Sequence, residues 1–271
     1  MHNTAYSLLG LECSYEAFDV APESLPVALK DFATRSFCGL NVTIPHKESV
    51  SKQMHELSDE ARATGAVNTI LFESGRLCGD NSDVYGVGAT LEPFRTSFDA
   101  EKVLVLGAGG TTRAIIYALL TRFNPSEIVI ANRNHARADG LVRHFQPYAK
   151  DITLKASPAD QTALSRLATD ARLIINSTSI GMTPSIDASP LGDWAHFHSK
   201  QIVFDLIYTP LETRLLALAG QGGARTISGL EMFLHQGARS FELWLGKQMP
   251  VEQIRPVIEN ELKNRQRDHS E

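Results

Sequence analysis

VLVLGAGGTTRAII, at residues 103–116, decides the fold of this chain of 271 residues. Four β-favouring apolar residues run into a glycine-rich turn, and an apolar-periodic segment to about Phe123 indicates that the turn opens a helix. Gly107 permits a tight turn, and Gly109 lets a diphosphate approach the backbone because it has no Cβ. The N–H groups of the helix start would bind that diphosphate. The stretch predicts a dinucleotide-binding fold, although Thr112 replaces the third glycine of the usual pattern.

The residues after the next strand indicate which nucleotide binds. Asn132 and Arg133 follow the strand predicted at 127–131. An NAD site usually has Asp or Glu here, and an acidic residue would repel a 2′-phosphate. An arginine fork binds a phosphate bidentately, and Arg137 is expected on the same helix face as Arg133. We therefore expect NADP as the cofactor, whereas without the glycine-rich turn the arginines could be a solvated pair.

Strands and helices alternate from Val103 to Ser228. Strands are predicted at 103–106, 127–131, 152–155, 173–176, 202–205 and 225–228. This alternation is typical of a doubly wound parallel sheet, so the fold class is α/β with a Rossmann-like domain. Between the last two strands, Thr209 is expected to cap a helix, with Pro210 at its first position and Glu212 completing a capping box.

The residues before Asp80 follow a different pattern and predict a second, smaller α/β domain. Apolar runs lie at 15–20, 38–44 and 66–72. Ser74 and Gly75 predict the turn of a hairpin that pairs 66–72 with 76–80.

Two helices, at 82–91 and 230–245, are expected to connect the two domains. We expect residues 1–84, with 230–271 returning to them, to form an N-terminal α/β substrate domain. Residues 85–229 would form the doubly wound NADP-binding domain, and the site would lie in the cleft between the two.

Composition excludes several functional classes. The net charge of −5 and the dispersed basic residues argue against a nucleic-acid partner. No apolar stretch or N-terminal signal pattern predicts membrane insertion or export, so we expect a cytoplasmic location. Cys13, Cys38 and Cys78 are odd in number and widely spaced, which argues against a disulfide framework. His196 and His198 lack a nearby Cys or acidic cluster, so no metal site is expected.

Four further segments are difficult to explain as scaffold alone, namely NVTIPHKE at 41–48, GAVNTI at 65–70, GDNSDVYG at 79–86 and SGLEMFLHQGA at 228–238. Two more, NSTSIGMTP at 176–184 and FDLIYTPLETRLL at 204–216, belong to the same resemblance. Each has an ordinary explanation by itself, since a lysine after a proline often begins a solvated helix and an aspartate often caps one. Combined with a nucleotide-binding fold, and in this order, they resemble the shikimate dehydrogenase family.

The resemblance implies roles for named residues. Lys47 and Asp83 would be the catalytic pair, because hydride reduction of a ketone needs a proton donor at the developing alkoxide. A polyhydroxy cyclohexene carboxylate would be held by Thr43, Asn68, Tyr208 and Gln236. The cofactor diphosphate would lie on Gly107, Ala108, Gly109, Gly110 and Thr111, and the 2′-phosphate on Asn132, Arg133 and Arg137. The nicotinamide half would lie near Thr178, Leu206, Gly229 and Met232, which ordinary loop and core packing would also explain.

The chain departs from the family pattern at three places. Ser82 and Asn134 stand where the family usually has threonine, and both keep a polar donor. The third departure is at the start, because Met1 aligns inside a segment that in the family follows a first strand and a Ser-x-Ser pair that binds the substrate carboxylate. We therefore expect a gap in the N-terminal sheet, a helix up to Gly10 as the first element, and a reading frame that begins upstream.

The implied function is the reversible, NADP-dependent reduction of 3-dehydroshikimate to shikimate, in the synthesis of chorismate and aromatic amino acids. One alternative is a quinate or amino-shikimate dehydrogenase of the same family. Another, of a different class, is a catalytically impaired NADP-binding regulator, since the Ser-x-Ser pair is missing. The expected partner is a small-molecule substrate, and the expected assembly is a monomer or a homodimer.

Overall fold

The computed structural model of the protein describes residues 1–35 and 37–268. Its α-helices are α1 (His2–Leu9), α2 (Leu25–Thr34), α3 (Lys47–Ser51), α4 (Asp59–Thr64), α5 (Ser82–Leu91), α6 (Gly110–Arg122), α7 (His135–Phe145), α8 (Gln161–Asp170), α9 (Arg214–Gln221), α10 (Gly229–Leu245) and α11 (Val251–Asp268). Its strands are β1 (Gly39–Asn41), β2 (Glu56–Leu57), β3 (Thr69–Glu73), β4 (Arg76–Asp80), β5 (Lys102–Leu106), β6 (Glu127–Asn132), β7 (Thr153–Pro158), β8 (Leu173–Asn176), β9 (Ile202–Asp205) and β10 (Arg225–Ser228). Short 3-10 helices occur at Pro22–Ser24, Glu92–Ser97 and Gln146–Tyr148.

A parallel sheet in the order β10-β9-β8-β5-β6-β7 contains the glycine-rich stretch. The predicted doubly wound sheet is therefore confirmed, and each predicted strand overlaps one of these six. The strand order reverses between β5 and β8, so the crevice outside their carboxyl ends is the place where such sheets bind ligands. The turn after β5 and the residues after β8 both face this crevice.

Helices cover both faces of this sheet, which explains why its strands are apolar throughout. Side chains alternate along each strand, so Val105 and Ile130 pack with residues of α6 and α7 on one face. Leu104 and Val129 pack with residues of α8 and α9 on the other face. This sheet and helices α6–α9 are called the large lobe below.

The second sheet has the order β1-β3-β4-β2. The predicted hairpin is confirmed, because β3 and β4 are antiparallel and Glu73 lies opposite Arg76. Ser74 and Gly75 both have positive φ, 50° and 78°, as a two-residue hairpin turn requires. The sheet packs on α2, α3 and α4 around residues such as Leu29. This sheet and helices α2–α4 are called the small lobe.

The apolar run at 15–20 does not form a strand. Tyr15 exchanges two hydrogen bonds with the side chain of Asn3, at 2.7 and 3.0 Å, through its backbone N–H and C=O. The carbonyl of Val20 accepts a hydrogen bond from the ring of His46 at 2.8 Å. Side chains therefore satisfy backbone groups that a neighbouring strand would otherwise bind.

The predicted start of the helix after β9 is wrong. Thr213, and not Thr209, is the N-cap of α9, and its hydroxyl accepts a hydrogen bond from Leu216 N. The same hydroxyl donates to the buried carboxylate of Asp205 at 2.7 Å, while the carbonyl of Thr209 accepts from Thr183 N. Tertiary hydrogen bonds therefore override the local capping box that Pro210 suggested.

The connecting helices occur as expected, with α5 after β4 and α10 ended by Gly246 in the left-handed conformation. α1 ends at Gly10, as predicted, and packs with α10 and α11 in one apolar cluster. α10 also contacts the small lobe, since Trp244 Nε1 donates to Ile70 O at 3.1 Å. The predicted boundary between residues 84 and 85 falls inside α5 and stays a prediction. Residues 269–271 of the predicted returning segment lie outside the described residues.

Candidate active site

Lys47 and Asp83 form an ion pair in which Nζ and Oδ2 lie 2.6 Å apart. Lys47 begins α3, and Asp83 lies in the first turn of α5, where the helix dipole favours a carboxylate. The two side chains are 13% and 6% exposed. Removal of either partner would leave a buried charge without compensation, so each side chain holds the other in place.

Asn68 binds the second carboxylate oxygen of Asp83. Its Nδ2 donates to Asp83 Oδ1 at 2.8 Å, while its Oδ1 accepts from Ser82 N at 2.8 Å and from the Thr69 hydroxyl at 2.9 Å. These donors occupy the amide oxygen and turn the NH2 group towards Asp83. The hairpin register makes this possible, because it places Thr69 opposite Asp80 and brings the start of β3 to the start of α5.

A buried hydroxyl from α10 joins this network. Ser240 Oγ lies 2.8 Å from Thr69 Oγ1 and 3.1 Å from Ser82 Oγ, and it accepts a hydrogen bond from Asn41 Nδ2 at 3.0 Å. Neither Ser240 nor Asn41 was predicted from the sequence as part of the site, although Asn41 begins the segment 41–48. No spacing indicates the contact, since Ser240 and Ser82 are separated by 158 positions. The hydroxyl of Ser82, which replaces the usual threonine, thus lies inside the network.

Gln236 lies beside the helix that carries Asp83. α5 and α10 approach closely at Gly86, where a Cβ would lie 3.0 Å from Gln236 Cβ and 3.1 Å from Met232 O. Gly86 follows Asp83 by about one helical turn, so Gln236 is near the ion pair along α5. Its Nε2 donates to Phe233 O at 3.0 Å.

Thr43 and Tyr208 are the most exposed of the predicted substrate residues. The ring of Tyr208, which is 38% exposed as a residue, packs against Phe233 with centroids 4.7 Å apart. Partial burial raises the pKa of the Tyr208 hydroxyl, so it remains a hydrogen-bond donor at neutral pH. Thr43 lies in the turn before α3, where its carbonyl accepts from His46 N.

The turn after β5 has the conformation that its glycines predict. Gly107 has a φ of 108°, and a Cβ there would lie 2.7 Å from Ser177 Oγ. By contrast, a Cβ at Gly109 would have no described heavy atom within 4 Å apart from its chain neighbours, so the turn is open on that side. Thr112, in place of the third glycine, is buried and accepts a hydrogen bond from Gly109 N at 2.9 Å. The Thr112 hydroxyl therefore forms a hydrogen bond to the backbone of the turn that a glycine at this position could not form.

Asn132, Arg133 and Arg137 lie at the end of β6 and the start of α7. Asn132 Nδ2 donates to Asn134 O at 2.9 Å, which stabilises the turn between these elements. α7 begins at His135, so the prediction that Arg133 shares a helix face with Arg137 is wrong, because Arg133 precedes the helix. Both arginines are exposed, and neither pairs with a carboxylate in the part of the chain that the structure describes.

The carboxyl ends of β8, β9 and β10 bring together the predicted nicotinamide residues Thr178, Leu206, Gly229 and Met232. Gly229 permits the closest of these contacts, since a Cβ there would lie 2.1 Å from Leu206 O. Thr178 packs beside the glycine-rich turn, and its methyl group lies 3.2 Å from the position of a Cβ at Gly107. The turn and the ends of these strands therefore form one continuous surface.

The buried carboxylate of Asp205, which was not predicted as a site residue, supports this surface. Asp205 Oδ1 accepts from Asn176 Nδ2 at 2.9 Å and from Ile207 N at 3.1 Å. Asn176 Oδ1 in turn accepts from the backbone and the hydroxyl of Thr178, at 3.0 and 2.7 Å. Burial raises the pKa of Asp205 to about 6, and the hydrogen bonds limit the increase. Both polar residues end buried strands, and that position could have indicated them.

The two lobes meet at Lys47. Its Nζ lies 3.5 Å from Thr111 Oγ1, and a Cβ at Gly110 would lie 3.6 Å from Lys47 Cβ. Ala108, the remaining residue of the turn, packs against the core of the large lobe. The ion pair and the glycine-rich turn therefore face the same cleft.

The fold and this cleft place the chain among the oxidoreductases that bind a nicotinamide dinucleotide on a doubly wound sheet. Three family models match it in order. Residues 1–70 match the shikimate dehydrogenase substrate binding domain, residues 91–206 match shikimate / quinate 5-dehydrogenase, and residues 229–259 match the shikimate 5'-dehydrogenase C-terminal domain. The chain belongs to the shikimate dehydrogenase family.

Named relatives agree with this assignment. Shikimate dehydrogenase (NADP(+)) of Methanopyrus kandleri is 42% identical over 260 residues, which span 95% of this chain and 89% of the relative. The crystal structure of shikimate 5-dehydrogenase from Thermus thermophilus in complex with NADP(H) and shikimate is 37% identical, with a TM-score of 0.79 over 93% of this chain and 89% of that one. Quinate dehydrogenase from Corynebacterium glutamicum in complex with NAD is 28% identical, with a TM-score of 0.85 over 95% of this chain and 92% of that one.

Within the described residues, no helix is both long enough and apolar enough to cross a membrane.

Proposed function

We propose that this chain is an NADP-dependent shikimate dehydrogenase, which reversibly reduces 3-dehydroshikimate to shikimate in the synthesis of chorismate and aromatic amino acids. The observation that carries the proposal is the position of the Lys47 and Asp83 pair, beside the glycine-rich turn of a dinucleotide fold. Two of the relatives support the substrate and the cofactor, because the Methanopyrus kandleri protein is a shikimate dehydrogenase (NADP(+)) and the Thermus thermophilus structure contains NADP(H) and shikimate.

The residues of the large lobe fit NADP. The open side of Gly109 and the start of α6 suit a diphosphate, which Gly107, Ala108, Gly109, Gly110 and Thr111 would hold. The exposed guanidinium groups of Arg133 and Arg137, with Asn132, would bind the 2′-phosphate. The nicotinamide would lie on the surface formed by Thr178, Leu206, Gly229 and Met232. When bound, NADPH supplies a hydride to the carbonyl carbon of the substrate.

Lys47 would transfer the proton that completes the reduction. The carbonyl oxygen gains negative charge as the carbon is reduced, and Nζ of Lys47 would donate a proton to it, so that an alcohol forms. In the oxidation, neutral Lys47 would accept the hydroxyl proton. Asp83 Oδ2 holds Nζ at 2.6 Å, and Asn68 fixes the other carboxylate oxygen, so the direction of the N–H bonds is restricted.

The small lobe, α10 and the segment after β9 would hold the substrate. We propose that Thr43, Asn68, Tyr208 and Gln236 bind the ring hydroxyls, since each carries a hydrogen-bonding group. Asn68 binds Asp83 and Gln236 lies beside the Asp83 helix, while Thr43 precedes the Lys47 helix and Tyr208 packs against α10. Residues 1–84 with the returning helices would then form the substrate domain, and residues 85–229 the NADP-binding domain. A cytoplasmic location and a monomeric or homodimeric assembly remain predictions.

The initial rate of NADP reduction, with shikimate as substrate at mildly alkaline pH, tests the proposal. We expect turnover by the wild type and its loss in Lys47→Ala. A folded wild type that binds NADPH and turns over no substrate would support the regulatory alternative instead. A higher kcat/KM for quinate than for shikimate would assign the chain to the quinate alternative. The structural similarity to the quinate dehydrogenase of Corynebacterium glutamicum is the reason to measure both substrates.

A further inference from the structure

Arg113 of α6 extends from the large lobe and binds two groups of the small lobe. Its NH1 donates to Thr64 O at 3.0 Å, and its NH2 lies 3.4 Å from Glu48 Oε2. The side chain of Arg113 is 20% exposed, so most of its surface is withdrawn from solvent. Arg113 is separated from Thr111 by a single residue, and one side chain therefore connects the glycine-rich turn with α3 and α4.

The groups that Arg113 contacts support both members of the ion pair. Glu48 follows Lys47 directly in α3. Thr64 ends α4, and its hydroxyl accepts a hydrogen bond at 3.1 Å from Asn81 Nδ2. Asn81 is in turn the N-cap of α5, and its Oδ1 accepts from Asp83 N at 3.2 Å. The guanidinium group thus touches one residue beside Lys47 and one residue that supports the start of the Asp83 helix.

Local helix chemistry does not explain an arginine at this position. Arg113 is the fourth residue of α6, where the positive end of the helix dipole disfavours a cation. The end of α4 has the opposite property, because its last carbonyl groups lack intrahelical donors and carry partial negative charge. A second donor from the large lobe, His144 Nε2, binds Ala63 O at 2.7 Å in the same helix. The presence of an arginine at position 113 is therefore explained by its contacts with the small lobe and not by its position in α6.

We propose that Arg113 is a positioning residue for the reaction, which holds the small lobe against the glycine-rich turn and thereby keeps Lys47 Nζ in the cleft. This inference rests on the proposed function. Arg113 touches neither reacting group. It acts through Glu48 and Thr64, whose helices carry or support Lys47 and Asp83.

Steady-state kinetics of Arg113→Ala, Arg113→Lys and Glu48→Gln, together with unfolding midpoints, test the inference. We expect kcat of Arg113→Ala to fall by about tenfold, because small displacements of a catalytic group cost that much or more, while KM for NADP stays near the wild-type value. Arg113→Lys keeps the positive charge but lacks the two guanidinium NH2 groups that contact Thr64 and Glu48, so its kcat should be intermediate. Glu48→Gln removes the ion pair with Arg113 but leaves the hydrogen bond from Arg113 to Thr64 O, so the kcat of this variant should also be intermediate.

Arg143→Ala is the matched control, since it removes an exposed arginine that pairs with Asp139 within α7. Its kcat should equal that of the wild type. Unchanged kcat in Arg113→Ala would overturn the inference. A raised KM for NADP with unchanged kcat would also overturn it, because Arg113 would then act as a diphosphate ligand. If Arg113→Ala does not fold, the kcat of Glu48→Gln tests the inference instead. A kcat of Glu48→Gln equal to that of the wild type would reject it.

Small-angle X-ray scattering separates failure of this inference from failure of the proposed function. If the wild type has no shikimate-dependent turnover, the proposed function fails, and the scattering of the NADPH-bound proteins still tests the contact between lobes. A larger radius of gyration for Arg113→Ala than for the wild type and Arg143→Ala supports the inference that Arg113 holds the two lobes together. Identical curves overturn it.

Discussion

The Nζ atom of Lys47 lies 3.5 Å from Oγ1 of Thr111, although the two residues belong to different lobes. Lys47 begins a helix of the small lobe, and Thr111 lies in the first turn of the helix that follows the glycine-rich turn. The position of the proposed proton donor therefore depends on how the lobes are held together as well as on its own helix.

Lys47→Ala is expected to remove proton transfer and to leave cofactor binding intact. We expect kcat to fall by about 10²- to 10⁴-fold, the usual contribution of a general acid. Initial rates measure this loss, and fluorescence titration with NADPH measures binding. Lys52→Ala is the control, because Lys52 is exposed at the end of the same helix. A Lys47→Ala enzyme with wild-type kcat would exclude the proposed role.

Arg133→Ala is expected to weaken selection of NADP over NAD. Loss of a charge-assisted bond to the 2′-phosphate is expected to lower kcat/KM for NADP by about 10- to 100-fold. The value for NAD, which lacks that phosphate, is expected to change little. Arg166→Ala, a change of another exposed arginine of the large lobe, serves as the control. Equal losses with both cofactors would show that Arg133 does not recognise the 2′-phosphate.

Alanine at Gly107 should lower the stability of the fold, whereas alanine at Gly109 should weaken the binding of NADPH. Gly107→Ala forces a φ of 108° on an L-residue and brings Cβ 2.7 Å from Ser177 Oγ, so we expect a loss of about 1–3 kcal/mol in the free energy of unfolding. Gly109 has a φ of −103° and open space, so Gly109→Ala should unfold like the wild type and bind NADPH more weakly. Urea unfolding and NADPH titration measure the two effects. Wild-type affinity in Gly109→Ala would place the diphosphate elsewhere.

Asp205 predicts a pH dependence of stability. Burial raises its pKa from 3.8 to about 6 in the folded protein, so the folded state binds a proton that the unfolded state has already lost. The contribution of Asp205 to the free energy of unfolding therefore increases as the pH falls through 6. Relative to Asp205→Asn, the wild type should gain about 1 kcal/mol between about pH 7 and about pH 5.

Urea unfolding of both proteins at the two pH values measures this change. Comparison with Asp205→Asn removes the effect of other titrating groups, because those groups are shared. A difference in unfolding free energy that stays constant between the two pH values would show that Asp205 titrates outside this range.

Much of the fold was predictable because its signals are local. The strand, turn and helix from Val103 onward, the hairpin turn at Ser74 and Gly75, and the left-handed end of α10 at Gly246 each depend on residues a few positions apart. The wrong prediction at Thr209 shows the limit of such signals. Pro210 and Glu212 formed a valid local capping pattern, and the buried carboxylate of Asp205 selected Thr213 instead.

The candidate site was predictable in part. Family motifs indicated Lys47, Asp83 and Asn68, and the structure brings these three side chains into one hydrogen-bonded group. It also shows partners to which the sequence had assigned no role, namely Ser240, which lies outside every quoted motif, and Asp205, which lies inside the segment 204–216. Their roles come from burial and from hydrogen bonds to the groups that the motifs did indicate.

The sequence by itself determined the α/β class, the parallel sheet, the preference for NADP and the family. These depend on apolar periodicity, on the conformations open to glycine and on residue types within short segments. Only the tertiary structure decided which distant groups meet, such as Arg113 with Thr64 across 49 positions and Ser82 with Ser240 across 158. The physical reason is that such contacts follow from the packing of whole elements, and a single sequence contains no local signal for the distance between them.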